Sequence, residues 1–201
     1  YVQNSNDTYR WSNPAELLKL DAIMGRDPGL GNLRTHSAIQ EISGVLKSGK
    51  FDVDVAAQTM LGNKVLISEL ALPQLLQLCK RSGAPTEACA ALAKWDGKAE
   101  LASRGAMLVN LFWAKVSART DIWELAPNPD DPVNTPRGLV TAGKTGDELL
   151  AALAAAAEAM KERGLKPDDS LAESQFAERG SERIPISGLQ TGGTINYTKT
   201  V

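Results

Sequence analysis

The 201-residue chain carries 22 basic and 24 acidic side chains, a formal charge of −2, and is 43% hydrophobic and 23% charged. That composition describes a globular protein large enough to bury a core. It lacks the clustered basic excess that recruits nucleic acid or anionic membrane, and no apolar run nears the ~18 residues of a bilayer span, so neither partner is expected.

In chain order, residues 1–12 read as a short strand, Tyr1 to Gln3, entering the polar turn QNSND and then Trp11-Ser-Asn-Pro. Gly, Pro and Asp dominate up to Leu33, with DPGLGN an irregular connection. LRTHSAIQEISGVL sets Ala38, Ile39, Ile42 and Val45 on one helical face. FDVDVAAQTML is a second helix, with Asp52 or Asp54 as its N-cap. KVLISELALPQLLQLCK is apolar on most sides and is broken or kinked at Pro73, where the ring removes a backbone donor. TEACAALAKWDG predicts a helix from near Thr86 that stops at Gly97, and SRGAMLVNLFWAKVSAR predicts another. ELAPNPDDPVNTPRG, with four prolines, must be loop. TGDELLAALAAAAEAMKERG carries a capping box at Thr145 and Glu148 and closes on Lys161, Arg163 and Gly164. RIPISGLQTGGTINYTKTV reads as two short strands around a Gly-rich turn.

The expected class is therefore α+β, mostly α, over 1–201: a strand in 1–12, a helical layer over 34–165, and returning strands over 183–201. Strands at both ends only, with helices between, suit a sheet whose other strands lie elsewhere. The chain has no initiating Met and no basic-then-apolar leader, so it is expected to be an internal piece or the product of a cleaved precursor. Open strand edges seek partners, which predicts an edge-strand dimer of the isolated piece.

Few residues offer chemistry. Cys79 and Cys89 flank the turn RSGAP, and the spacing fits either a disulfide across a helical hairpin or two buried thiols on separate helices. No metal site is expected, since His36 is the only histidine and no Cys-x-x-Cys occurs. His36 itself is expected as a partly exposed helical histidine rather than a triad base, because no G-x-S-x-G elbow accompanies it. The glycines of LGNLR, SGLQTGG and TAGKTGDEL lack the strand–turn–helix order of a phosphate loop. Asp130-Asp131 and Asp168-Asp169 lie beside prolines as solvated turns rather than a glycosidase pair. What remains is QNSND. Side-chain amides are good oxyanion donors, and Asn and Asp equally satisfy turns; on the residues alone the turn reading comes first.

YVQNSNDTYRWSNP resembles a segment in the β subunit of the penicillin acylase family, above all the branch of acyl-homoserine-lactone and aculeacin-type acylases. LLQLCKRSG…EACAALAKWDG, DDPVNTPRGL and AERGSERIPISGLQTGG resemble further elements of that branch, so the likeness spans essentially the whole chain. The resemblance implies part of the αββα sandwich of an N-terminal nucleophile (Ntn) hydrolase that cleaves linear amides such as acyl-homoserine lactones or penicillins. The family's nucleophile is an N-terminal Ser exposed by autocatalytic cleavage of a zymogen, with its own α-amine as base. An Asn side chain helps hold the oxyanion. That Asn matches Asn6, with Asn4 the alternative, and a family Arg matches Arg34 as support.

The chain departs from the pattern at Tyr1, which cannot be the nucleophile, at Leu171, where the family has Trp, and in the shifted glycines near Gly188. The nucleophile is then expected outside this chain, and the chain alone is expected to be inactive. The implied partners are an α subunit, the rest of the β subunit and a small amide substrate with an acyl chain. The resemblance further implies a periplasmic or secreted location, a Cys79–Cys89 disulfide, no cofactor, and roles in quorum quenching or antibiotic resistance. The competing expectation is a non-enzymatic helical binding or scaffold module.

Overall fold

Two helices that differ in how they bury their sides organise the core. A computed structural model describes residues 1–17, 21, 23, 31–49, 51–128, 131, 133–196 and 198. In chain order it holds a 3₁₀ turn Tyr9–Ser12, α1 Leu33–Ser48, α2 Val53–Leu61, α3 Ile67–Leu70, α4 Leu72–Leu78, α5 Thr86–Lys94, α6 Ala106–Val116, β1 Trp123–Leu125, β2 Arg137–Leu139, α7 Gly143–Lys161, α8 Leu171–Ser174, β3 Phe176–Arg179 and β4 Glu182–Pro185. α6 buries Met107, Leu108, Val109, Phe112, Trp113 and Val116, residues from nearly all round its circumference, as a central helix must. α7 is amphipathic, and its Leu149, Leu153, Ala156 and Met160 form one buried stripe in the same core cluster. α3, α4 and α5 add Ile67, Leu75, Leu78, Ala88 and Leu92 to that cluster.

The break in KVLISELALPQLLQLCK falls at Ala71, between α3 and α4. Pro73 sits in the first turn of α4, where a backbone N–H has no intrahelical partner to lose. Asp52 rather than Asp54 caps α2, accepting from Val55 N at 2.9 Å.

Cys79, just past α4, and Cys89, within α5, form a disulfide with a Cα–Cα distance of 5.6 Å. Of the two arrangements left open by spacing, the hairpin bridge is the one present. With the cysteines ten positions apart, loop-closure entropy assigns the bridge about 2–3 kcal/mol. Replacing both cysteines with Ser should lower the urea-unfolding free energy by about that amount. Reductant should bring the parent protein down to the variant and leave the variant unmoved.

The strands differ from expectation. β1 and β2 pair antiparallel, Trp123 opposite Leu139 and Leu125 opposite Arg137, so the proline-rich loop is the connection of a hairpin in mid-chain. β3 and β4 pair from Phe176↔Pro185 to Arg179↔Glu182. Among the described residues these are the two sheets, giving an α-rich α+β architecture. Tyr1 to Gln3 form no strand: Gln3 N donates to Ser12 O at 3.0 Å, and Val2 is 83% exposed, with no neighbouring strand against it. From Ile186 to Asn196 the described chain is irregular rather than strand, with bridges at Leu189 and at Val65↔Thr194, and residues 197 and 199–201 of the expected strands lie outside the described residues. Left-handed Gly188, Gly192 and Gly193 interrupt any ladder there.

The expected capping box of α7 is also displaced. The helix starts at Gly143 with Ala142 as N-cap, which puts Thr145 and Glu148 inside it. Glu148 instead meets Arg119 at 2.7 Å and Lys144 at 3.6 Å, because a guanidinium satisfies a carboxylate better than one amide N–H does. A capping box does form at α8, where Glu173 accepts from Ser170 N and Ser170 Oγ, both at 2.7 Å. Those two bonds draw the Glu173 carboxyl below the usual range.

Candidate active site

The amide-rich first segment is folded by its own side chains. Gln3 Nε2 donates to the carbonyl of Trp11 at 2.5 Å, and Ser5 Oγ donates to Gln3 Oε1 at 3.1 Å. Asn4 Oδ1 accepts from Asn6 N at 2.8 Å, an Asx turn that leaves Asn6 left-handed at φ +55°. Asn is among the few non-glycine residues that adopt this conformation readily. The 3₁₀ turn carries Trp11 inside, 1% exposed, against the ring of His36 at 5.3 Å. His36, at 3% exposed, is thus a buried residue rather than the partly exposed one expected. The cause is long-range: Trp11 covers the first turns of α1, which helix periodicity alone does not reveal.

Asp7 ties this segment to α1. Its Oδ2 accepts from Asn32 N at 2.8 Å and Thr35 Oγ1 at 2.7 Å, placing a carboxylate at a helix N-terminus, where the macrodipole favours it. Asn32, the N-cap, accepts from Thr35 N at 2.9 Å. Gly31 must be glycine here, since a Cβ would fall 2.8 Å from Trp11 Cε2 and its φ is +72°.

From the second residue of α1, Arg34 donates from one terminal nitrogen to the carbonyl of Ser5 at 2.6 Å and to Asn6 Oδ1 at 2.9 Å. A guanidinium only donates, so the contact sets the orientation of the Asn6 amide, with oxygen toward Arg34 and Nδ2 away from it. Asn6 is exposed at a cavity of about 710 Å³, and among the described residues its Nδ2 makes no hydrogen bond.

Asn6, Arg34 and His36 form one side of that cavity, and Gln190–Thr194 another. Thr191 is fixed to α6 through Asn110, whose Oδ1 accepts from Thr191 Oγ1 at 2.7 Å and from Thr191 N at 3.2 Å. Gly193 passes so close to the start of α1 that a Cβ would meet Leu33 O at 2.9 Å. Trp113 and Trp123, ring centroids 5.5 Å apart edge to face, supply an aromatic wall beside Pro127 and Pro136. Arg119 also lines the cavity, with its charge answered by Asp121 at 2.5 Å and Glu148 at 2.7 Å. Those partners raise its guanidinium further above its ordinary range, and Arg119 in turn draws the Asp121 carboxyl down.

Of the residues singled out from the sequence, Asn6 and Arg34 are brought together although 28 positions apart, and Asn4 serves the turn. Asp130 lies outside the described residues. Asp131 accepts from Asn134 Nδ2 at 2.7 Å and Asp169 from Lys166 N at 2.8 Å, as turn residues do. Sequence reasoning missed Asp7, Trp113, Trp123 and the stretch 190–194. Asn32, three residues before a Thr at the head of an apolar-periodic run, was a readable cap signal for where Asp7 docks.

An amide whose oxygen is held by an arginine at the edge of a cavity leaves N–H donors available to whatever the cavity takes up. A family model, penicillin amidase, matches residues 1–198. The chain is 39% identical over 144 residues to the acyl-homoserine lactone acylase PvdQ of Pseudomonas putida, covering 69% of this chain and 18% of that protein. It is 30% identical to PvdQ of Pseudomonas syringae pv. tomato over its whole length, and 32% identical to the aculeacin-A acylase of Actinoplanes utahensis over 98% of it. It spans 27% and 26% of those two proteins, about a quarter of their length. The chain belongs to the penicillin amidase family.

Proposed function

We propose that this chain is the oxyanion-bearing part of an acylase that hydrolyses linear amides, with an acyl-homoserine lactone or a related fatty amide as substrate. The observation that carries the proposal is the Arg34–Asn6 contact at 2.9 Å, which fixes the amide and leaves its N–H donors at the cavity. The family match and the acylase relatives support the same reading.

In this reading an N-terminal Ser outside the chain attacks the amide carbonyl while its own α-amine takes the proton. An α-amine with a pKa near ~8 is substantially free base at mild pH. Negative charge grows on the carbonyl oxygen, and Asn6 Nδ2 donates to it. Arg34 places a full positive charge behind the amide, polarising its N–H groups toward the oxyanion. Arg34 is a positioning residue, acting through Asn6. The tetrahedral intermediate then collapses, the amine leaves with a proton, and water releases the acyl group from Ser.

The family match supports the rest of the reading, in which the segment sits in an αββα Ntn sandwich formed with an α subunit and the remaining β subunit, in the periplasm or outside the cell. The 201 residues alone would be inactive. Arg34→Met tests the proposal in the complete acylase. Loss of a charge-assisted hydrogen bond should lower kcat roughly 10–100-fold with little change in KM, and Arg34→Lys should recover part of it. Turnover within about twofold of the parent for Arg34→Met would remove the clamp from the mechanism.

A further inference from the structure

α2 wears its amphipathicity inside out. Val53, Ala57, Met60 and Leu61 follow the i, i+4, i+7, i+8 spacing that forms one apolar stripe, and all four are exposed. The half-buried side carries Val55, Ala56 and Thr59, and no residue of the helix is fully buried. Val53 is 82% exposed, Met60 62% and Leu61 65%, and Phe51 just before the helix is 61% exposed. Single exposed apolar residues are ordinary, but a whole helical stripe facing water marks a contact surface.

We propose that the outward stripe of α2 is the seat of an acylase segment lying outside these 201 residues, an apolar and uncharged face of the same protein. The inference rests on the reading of this chain as part of a larger acylase. Two observations select that occupant. The matched relatives are roughly four times as long as the region they share with this chain, so ample polypeptide exists to cover it. The helix carries no Lys or Arg, while Asp52 caps it and Asp54 lies in its first turn, which disfavours an anionic lipid surface.

Met60 makes the proposal measurable without a mutation. The complete acylase is oxidised briefly with hydroxyl radicals or peroxide, and each methionine is quantified by peptide mass spectrometry against the same protein unfolded in guanidinium. Met107 and Met160, buried in the core, serve as internal standards. Met60 is expected to oxidise at least about 10-fold more slowly in the native protein than unfolded, close to Met107. Oxidation of native Met60 at the unfolded rate would overturn the proposal. So would protection that disappears on dilution, which means a second copy, or protection that appears only with lipid vesicles. The readout is separate from kinetics at Asn6: protected Met60 with an unimpaired Asn6 variant sinks the catalytic reading alone, and the reverse result sinks this one alone.

Discussion

In the complete acylase, Asn6→Ala is expected to lower kcat by about 10²–10³-fold with KM nearly unchanged. In the proposed mechanism the donor is used only when charge accumulates on the carbonyl oxygen, so its loss falls on the transition state and spares substrate binding. Arg34 would keep its bond to Ser5 O at 2.6 Å, so the clamp outlives the amide. Asn6 is exposed and left-handed at φ +55°, which gives the experiment a necessary control. Ala disfavours that backbone, whereas Gly accepts it freely. Asn6→Gly should therefore be as inactive as Asn6→Ala if the amide matters. If Gly restores turnover, the loss came from backbone strain and the oxyanion assignment is wrong. Asn6→Asp should be at least as poor, since a carboxylate has no donor and repels the oxyanion.

Phe112→Ala should be the most damaging single change to stability, about 3–5 kcal/mol. Phe112 is fully buried on α6, in the cluster where that helix meets α7 and α5, and truncation leaves a ring-sized void lined by atoms that cannot close it. Its neighbour Trp113 lines the cavity, so repacking around the void would also disturb the aromatic wall. Urea unfolding at constant m-value measures the loss. Lys144→Ala, at a side chain 89% exposed, should move stability by less than about 0.5 kcal/mol and serves as the reference. A loss below about 1 kcal/mol for Phe112→Ala would mean that the α6 core is not packed as described.

The helices were legible because their periodicity and punctuation are local. The N-cap Asp52, the break beside Pro73 and the apolar α6 each follow from residues within a turn or two. The errors have a common physical origin in distant partners. Glu148 looks like a capping residue until Arg119, 29 positions earlier, claims it. Tyr1 to Gln3 have strand-like composition but, among the described residues, no neighbouring strand to pair with. His36 looks half-exposed until Trp11 covers it. The paired Asn6 and Arg34 came from the resemblance, because nothing in spacing alone says that residues 28 apart will touch. The aromatic wall was invisible for a similar reason: Trp113 and Trp123 are brought edge to face by the turn that follows α6, and a Trp on an apolar helix reads as core.

The cavity is lined by segments far apart in the sequence, Asn6 on one side and Gln190–Thr194 on another. Such a pocket has high contact order. It cannot exist in a chain that has folded only its local helices, because the loop between Leu33 and Gly193 must close before the two can lie together. Asn6 therefore faces a walled site only once contacts this distant in sequence have been made. A chain holding only its local helices would carry every residue of the pocket and none of its shape.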